Sequence, residues 1–464
     1  MILSPEIAAL IASLQRELEA LRTENAELRR RLGLDSSTSS KPPSSDGLRK
    51  KPVSLREPSG RPGGGQKGHK GETLRQIAEP DRIVRHEDQS CRHCGAALSA
   101  AMTTGMERRQ VFDLPVRRME VTEHRGLVYA CASCGERTRA SFPEGVAGPA
   151  QYGERVKAAG VYLHAQQLIP EDRAALALND LFGVKSLCPA SLAEWTRRRA
   201  KAFLPIAAGI AAQACAARVR CLDETGFRIG GRTQWLHTIA TDRLTLYRVS
   251  ARRGDLPTGL VGGVVVHDGF KSYARQMTGL AHALCNAHHL RELKALIAFD
   301  EEPWAASMRD LLLEASRAVD EARACGVTAL APDLLAAFHA RYWEALREGL
   351  AYHRKLPRLP RHGSKRGKAK RRPGHNLLIR LHKFKDDVLR FLIDFEVPFT
   401  NNLAEQALRM MKVKMKISGA FRTFEGAQAF AALRSILATA RKRQWNILET
   451  ISENPNRLCQ ALQP

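Results

Sequence analysis

The sequence predicts a multidomain α+β protein built on one mixed sheet, with a large helical insertion and three modules ahead of it. Three observations carry that expectation. Strand-like runs at 219–229, 234–241 and 244–250 are joined by two-residue turns, Gly230-Gly231 and Asp242-Arg243, as in a β-meander. A fourth run, Val264-Val265-Val266-His267, ends at Asp268-Gly269, and residues 281–285 form a fifth. Amphipathic helical sequence begins at His288 and fills about 290–395.

Composition bounds what such a chain does. A length of 464 residues corresponds to about three domains. An apolar share of 44 % supports packed cores and excludes a disordered chain. The formal net charge of +25 points to a polyanionic partner, nucleic acid ahead of a membrane surface. With no 18-residue apolar run and no basic-then-apolar leader pattern, the expected location is the cytoplasm. Of ten cysteines, four fall in two CxxC pairs and six are scattered, the usage of reduced thiols.

Residues 1–34 read as a coiled coil. Ile7, Leu14, Leu21 and Leu28 occupy d positions, and Ile11, Leu18, Asn25 and Leu32 occupy a positions. A single Asn at an a position sets register and favours a parallel dimer, and Glu17 and Glu24 at g face Arg22 and Arg29 at e. The expected partner is therefore a second copy, through residues 7–32. An amphipathic helix packed on the body is the other reading. Residues 35–80 form a basic Ser/Pro/Gly linker, containing SSTSSKPPSSD and GRPGGGQKGHKG, that lies on DNA or serves as a solvated hinge.

Residues 81–145 hold Cys91-x-x-Cys94 and Cys131-x-x-Cys134, with Gly95 and Gly135 turning each knuckle. Two matched pairs point to a structural Zn²⁺ in a ribbon-like module, rather than a redox dithiol. QVFDLP and RRMEVTEHRGLVYA read as its strands, and His86, His93 and His124 as spare ligands or surface residues. Residues 146–215 read as helical. One helix runs from Pro170 to Leu181, Gly183 breaks it, and another runs from Pro189 to Phe203 carrying Arg197, Arg198 and Arg199. This spacing fits a helix-turn-helix whose second helix reads DNA through Arg197 and Arg198, or an ordinary helical hairpin.

Residues 216–425 form the sheet domain. A meander followed by strands alternating with helices is the order of a ribonuclease-H-like mixed sheet. Residues 354–372 carry ten Lys/Arg and no acid, either a nucleic-acid-binding flap or a solvated loop. Helix returns at Asn401 or Asn402, then Lys412, Lys414 and Lys416 alternate with Val413, Met415 and Ile417. Residues 426–464 are C-terminal, with a helix at 426–442 that ends the fold.

Acids stand out in this frame. Asp223 interrupts a buried strand, which is costly for a lone carboxylate unless it is paired or metal-bound. In a meander-first mixed sheet the first and fourth strands are neighbours, so Asp223 and Asp268 approach each other. Two close carboxylates call for a divalent cation, and two such ions equip a site for in-line attack on a phosphodiester. Glu405 is the third candidate. It stands three residues after Asn402, so a capping box explains it equally well, and Asp268 also suits a turn before Gly269.

Taken together, LDETGFRIGG…QWLHTIAT, HDGFKSY, LCNAHHLREL, TNNLAEQALRM, KMKISGAFRT and TARKRQWN resemble insertion-sequence-66-type transposases in that family's order. The N-terminal heptads, SSKPPSSD, GGGQKGHKG and the CxxC pairs match as well, so the resemblance spans nearly the whole chain. It implies a DDE transposase with a ribonuclease-H-like core, and Mg²⁺ (or Mn²⁺) held by Asp223, Asp268 and Glu405. It thereby chooses the site over the cap for Glu405. It also implies that His288 orients a phosphate, that Lys416, Ser418 and Arg422 contact the DNA backbone, and that small accessory transposition proteins take part. Two positions depart from the family: Asn286 stands where tryptophan is usual, and Gln406 where an arginine often follows the third acid. The expected function is binding of an element's terminal repeats, cleavage there, and transfer of the 3′ hydroxyl ends to target DNA. A catalytically inactive zinc and coiled-coil DNA-binding protein, or a hydrolase that cuts without joining, remain the other readings.

Overall fold

A computed structural model of the chain describes residues 5–35, 38–39, 74–100, 103–113, 119–357, 359 and 371–463. Most of the expected linker at 35–80 (residues 36–37 and 40–73) and most of the basic loop at 354–372 lie outside the described residues. Helix α1 (Pro5–Gly33) is continuous. Its heptad leucines stay exposed, from 47 % at Leu28 to 80 % at Leu32, so they are not folded onto the body. Its end is tied down: Arg30 Nε donates to Asp300 at 2.8 Å, and Gly33 packs against the Phe299 ring.

The cysteine module contains little regular structure. Strands β1 (Val128–Ala130) and β2 (Arg137–Arg139) form a short hairpin around the second knuckle. The strands expected over QVFDLP and RRMEVTEHRGLVYA shrink to the three residues of β1; residues 110–113 and 119–127 are irregular. Val111 and Val121 are 91 % and 82 % exposed, so alternation here has no buried face to stabilise pairing.

Four helices follow: α2 (Glu154–Val161), extended by a π-turn at Tyr162–Gln166, then α3 (Glu171–Phe182), α4 (Pro189–Ala202) and α5 (Leu204–Ala216). Pro170 precedes α3, and Gly183 ends it in the left-handed region at φ +70°, as the sequence anticipates. The sheet comprises β3 (Val219–Ile229), β4 (Arg232–Ala240), β5 (Thr245–Ser250), β6 (Val264–His267) and, after α6 (Lys271–Gln276), β7 (Ala281–Leu284). Its order is β5-β4-β3-β6-β7, with β3, β4 and β5 antiparallel and β6 and β7 parallel to β3. Gly230 and Gly231 both have positive φ, which the tight β3–β4 hairpin requires.

The helical insertion is α7 (Asn286–Ala295), α8 (Pro303–Ala324), α9 (Pro332–Lys355), α10 (Pro373–Lys383) and α11 (Lys385–Ile393). Helix α12 (Asn402–Ile417) takes in the segment where lysines alternate with apolar residues. Helix α13 (Phe424–Lys442) does not end the fold: α14 (Ile447–Ser452) and α15 (Pro455–Ala461) follow, each started by an asparagine cap, Asn446 and Asn454. Alternate residues of the central strands serve opposite faces. Leu222, Ile239 and Val265 join Ile206, Ile210, Leu433 and Leu437 in one cluster, whereas Cys221 and Val266 join Leu293, Trp304, Leu392 and Ala404 in another. Helices thus cover both faces, and β6 is buried throughout. Helix α13 also closes the sheet's open edge, since the Thr245 and Tyr247 amides donate to Thr439 Oγ1 and Ser435 Oγ at 3.1 and 2.9 Å. Among the described residues no helix is long and apolar enough to cross a membrane.

Candidate active site

Strands β3 and β6 pair in the register Val219↔Val264, Arg220↔Val265 and Cys221↔Val266. The paired residues stop there and β6 ends at His267; Asp223 and Asp268 each lie two residues beyond the last pair, and Asp268 acts electrostatically on Asp223. Helix α12 reaches this point through Asn401, whose side-chain amide donates to Leu222 O at 2.7 Å and whose N–H donates to Cys285 Sγ at 3.1 Å. The helix cap is therefore Asn401 rather than Asn402, and its side chain makes no capping bond. No capping box forms, and Glu405 lies one turn into α12, close enough to the acids to feel their charge.

Electrostatics draw the three acids into one site. Burial pushes the Asp223 carboxyl up to about 8, with further contributions from Glu224, Asp268 and Glu405, against a 2.8 Å bond from the Glu224 amide. Burial also raises Glu405, and Asp268 adds to it, while Arg291 and Arg409 pull the other way. Half-buried carboxylates that oppose one another's ionisation are the donor set of a hard divalent cation, which removes the repulsion when bound. Their donor chemistry suits such an ion, but among the described residues the three carboxylates are not gathered within 4.8 Å of one another.

Neighbouring groups fix the geometry. Asp268 Oδ1 accepts the Phe270 amide at 2.8 Å. The Gly269 amide donates to His267 Nδ1 at 3.0 Å, so His267 carries its proton on Nε2 and donates to His282 Nδ1 at 2.9 Å. His282 Nε2–H then donates to the Met277 carbonyl at 3.0 Å. Burial pushes His267 down to about 3, which keeps its imidazole neutral. On the opposite face of β3, Glu224 is fully buried and held by Arg253 Nε at 2.8 Å and Tyr273 Oη at 2.5 Å, while Arg253 stacks 4.1 Å over Phe270. Sequence reasoning missed Glu224, Arg253, Tyr273, Arg291 and Arg409. For Glu224 a signal existed, an acid inside a buried strand, but Asp223 beside it took the explanation.

The remaining predicted residues fall in different places. His288, in the first turn of α7, is pushed down to about 4 by burial first and then by Arg291, with Asp268 opposing. Ligand atoms of Cys285, His288 and Glu405 lie within 4.8 Å of one another. Lys416 and Arg422 are exposed. Ser418 accepts from the buried Lys414 Nζ at 3.2 Å, and Lys414 lies 4.1 Å over the Phe421 ring. Arg197 and Arg198 are exposed and pair with Glu194 on their own helix, Arg198 at 2.5 Å.

The two knuckles are built alike. Gly95 and Gly135 donate to the Cys91 and Cys131 carbonyls at 2.8 Å, with φ of +75° and +74°. Backbone amides lower both first thiols: those of His93 and Cys94 act on Cys91, and those of Cys134 and Ser133 on Cys131. This favours the thiolate, the form that binds metal. Among the described residues the knuckles are not gathered into one ligand cluster, and His86, His93 and His124 are exposed.

Residues 88–135 match the zinc-finger binding domain of transposase IS66, and residues 2–75 match a family of unknown function. None of the curated proteins compared matches the chain. The family model described as Transposase IS66 family matches residues 149–429, from the start of the helical region into α13, and takes in Asp223, Asp268 and Glu405. By the extent of that match, the chain belongs to the IS66 transposase family.

Proposed function

We propose that this transposase is a DDE-type enzyme on a ribonuclease-H-like core, with Asp223, Asp268 and Glu405 as its metal-binding carboxylates. One observation supports the reading: just beyond the paired β3–β6 residues, burial and the Glu224, Asp268 and Glu405 carboxylates push Asp223 up to about 8. The strand order β5-β4-β3-β6-β7 supports the fold assignment. In this reading the chain binds the terminal repeats of an insertion sequence, cleaves there, and joins the freed 3′ hydroxyl to target DNA. Magnesium or manganese, when bound, would supply activation of the attacking hydroxyl and stabilisation of the leaving oxygen. The residues around it do the positioning. The Phe270 amide holds Asp268 and the hydrogen-bonded His267–His282 pair holds the turn behind it. Arg291 and Arg409 beside Glu405 offer cations for the scissile phosphate, with His288 to orient it.

DNA binding in this reading draws on exposed Lys416 and Arg422, and on Arg197 and Arg198 of α4; Ser418 acts through Lys414. Cys91, Cys94, Cys131 and Cys134 hold a structural zinc. The exposed heptad stripe of α1 pairs two copies through residues 7–32, so that both element ends are held together. The test is Asp268→Asn. Magnesium-dependent cleavage of terminal-repeat DNA is expected to fall about a thousandfold or more, while a gel-shift assay shows binding retained. Wild-type cleavage by the variant would refute the assignment.

A further inference from the structure

We propose that Cys285, His288 and Glu405 form a second metal subsite, suited to a thiophilic divalent cation such as zinc and overlapping the carboxylate centre at Glu405. Three elements converge to make it. Cys285 closes β7 at the N-cap of α7, His288 stands one turn into that helix, and Glu405 comes from α12 across the same face of the sheet. One ligand atom from each lies within 4.8 Å of the others, and the Cys285 thiol is 3.9 Å from Glu405 Oε1. Sulfur, nitrogen and oxygen around a tetrahedral zinc stand about 3.4–3.6 Å apart, given bonds of about 2.3, 2.05 and 2.1 Å. The Cys285–Glu405 edge then needs a contraction of a few tenths of an ångström, and the other two edges at most somewhat over an ångström.

Two further features suit the subsite. His288 Nδ1 is buried with no hydrogen-bond partner among the described residues, a donor atom that the fold itself leaves unused. Cys285 Sγ accepts the Asn401 amide at 3.1 Å, a bond that orients the sulfur and stabilises the thiolate formed when the metal displaces its proton. Three protein ligands leave a fourth position for a solvent or substrate oxygen. The sulfur and imidazole select zinc or cobalt over magnesium, which keeps to oxygen ligands. A soft ion bound here engages Glu405 and so competes with magnesium at the carboxylate centre. That competition alone rests on the proposed role of Glu405; the subsite rests on the ligand geometry.

The experiment is a cobalt titration of the full-length protein already loaded with zinc at its cysteine knuckles, read by sulfur-to-cobalt charge transfer and visible d–d bands. Wild type is expected to take up one further Co²⁺ with a thiolate signature. Cys285→Ser should lose that band and about a hundredfold or more in affinity, and His288→Gln should weaken binding about tenfold or more. Asp223→Asn should keep the band. Absence of the extra ion in wild type overturns the proposal, as does a band unchanged in both Cys285→Ser and His288→Gln, which would mark exchange at the knuckles. His288→Gln keeps the test decisive should Cys285→Ser fail to fold. Magnesium that weakens cobalt binding in wild type supports the shared Glu405. Cobalt binding indifferent to magnesium leaves the subsite standing and counts against Glu405 as a magnesium ligand.

Discussion

Asp223 lies mid-strand in a setting where burial and the Glu224, Asp268 and Glu405 carboxylates all oppose its charge. Its folded pKa, about 8, lies above the unfolded aspartate value, so the folded state keeps a proton that the unfolded chain releases. This contribution to stability is therefore present at low pH and is lost as pH rises from about 4 towards 8. Without added magnesium, Asp223→Asn should be more stable than wild type at pH 8 by roughly 5 kcal/mol, and thermal unfolding should show the difference closing near pH 4. Magnesium should raise the melting temperature of wild type but not of the variant. The opposite sign applies to His267, pushed down to about 3: its neutral form persists while the unfolded histidine protonates below about 6.5. In ¹⁵N-histidine NMR, His267 should show the Nε2–H tautomer and no titration between pH 5 and 8; a midpoint near 6.5 would contradict its neutral imidazole. At this scale Asp223 stands out in the sequence because a charge inside a buried strand has few explanations, and the structure finds it raised by burial. Glu405 was not, because the same helix turn serves a cap and a site equally well by sequence.

Elements were legible wherever a period met a stop signal. The Pro170–Gly183 helix and the Gly230-Gly231 hairpin emerge within a residue or two of their expected bounds. QVFDLP failed because alternation specifies a strand only where one face is buried, and Val111 remains in water. The role of α13 was not visible at all. Its Ser435 and Thr439 read as helix-surface hydroxyls, yet they satisfy the edge amides of β5. Ser435→Ala leaves the Tyr247 amide buried and unpaired, and should cost about 1–3 kcal/mol in urea unfolding. Gly263 makes a sharper case. It enters β6 at φ +69°, and an added Cβ would stand 2.3 Å from the Arg218 carbonyl oxygen. Gly263→Ala should therefore cost more than about 3 kcal/mol, read as loss of soluble, cooperatively unfolding protein. Lys414 shows the reverse lesson: a lysine expected to alternate outward is buried over Phe421, because the segment is helical and period 3.6 turns it inward.

For the whole molecule, the net charge of +25 and the exposed heptad stripe of α1 both point outward. Deleting residues 1–34 should convert a dimer to a monomer by light scattering while leaving the sheet's near-UV circular dichroism intact. A variant that remains dimeric would shift self-pairing to another surface. DNA affinity should fall steeply with salt, log K decreasing linearly with log salt concentration, as phosphate neutralisation requires. The order of modules was legible along the chain because each carries a local signature, in heptads, CxxC pairs, helix stops or strand runs. How the sheet is covered was not, since α5 and α13 come from opposite sides of the strands in sequence and join one core with Leu222 and Val265.

By itself the sequence determined most elements of the sheet and helical regions and their order, because periodicity and turn chemistry act between residues near one another in the chain. The tertiary structure alone decided three things. It put Asn401, not Asn402, at the start of α12 and so excluded the capping box around Glu405. It turned Glu224 away from Asp223 into the grip of Arg253 and Tyr273. It brought Cys285 and His288 to Glu405. Each depends on contacts between residues far apart in sequence, whose meeting is set by strand register and helix packing rather than by any local pattern.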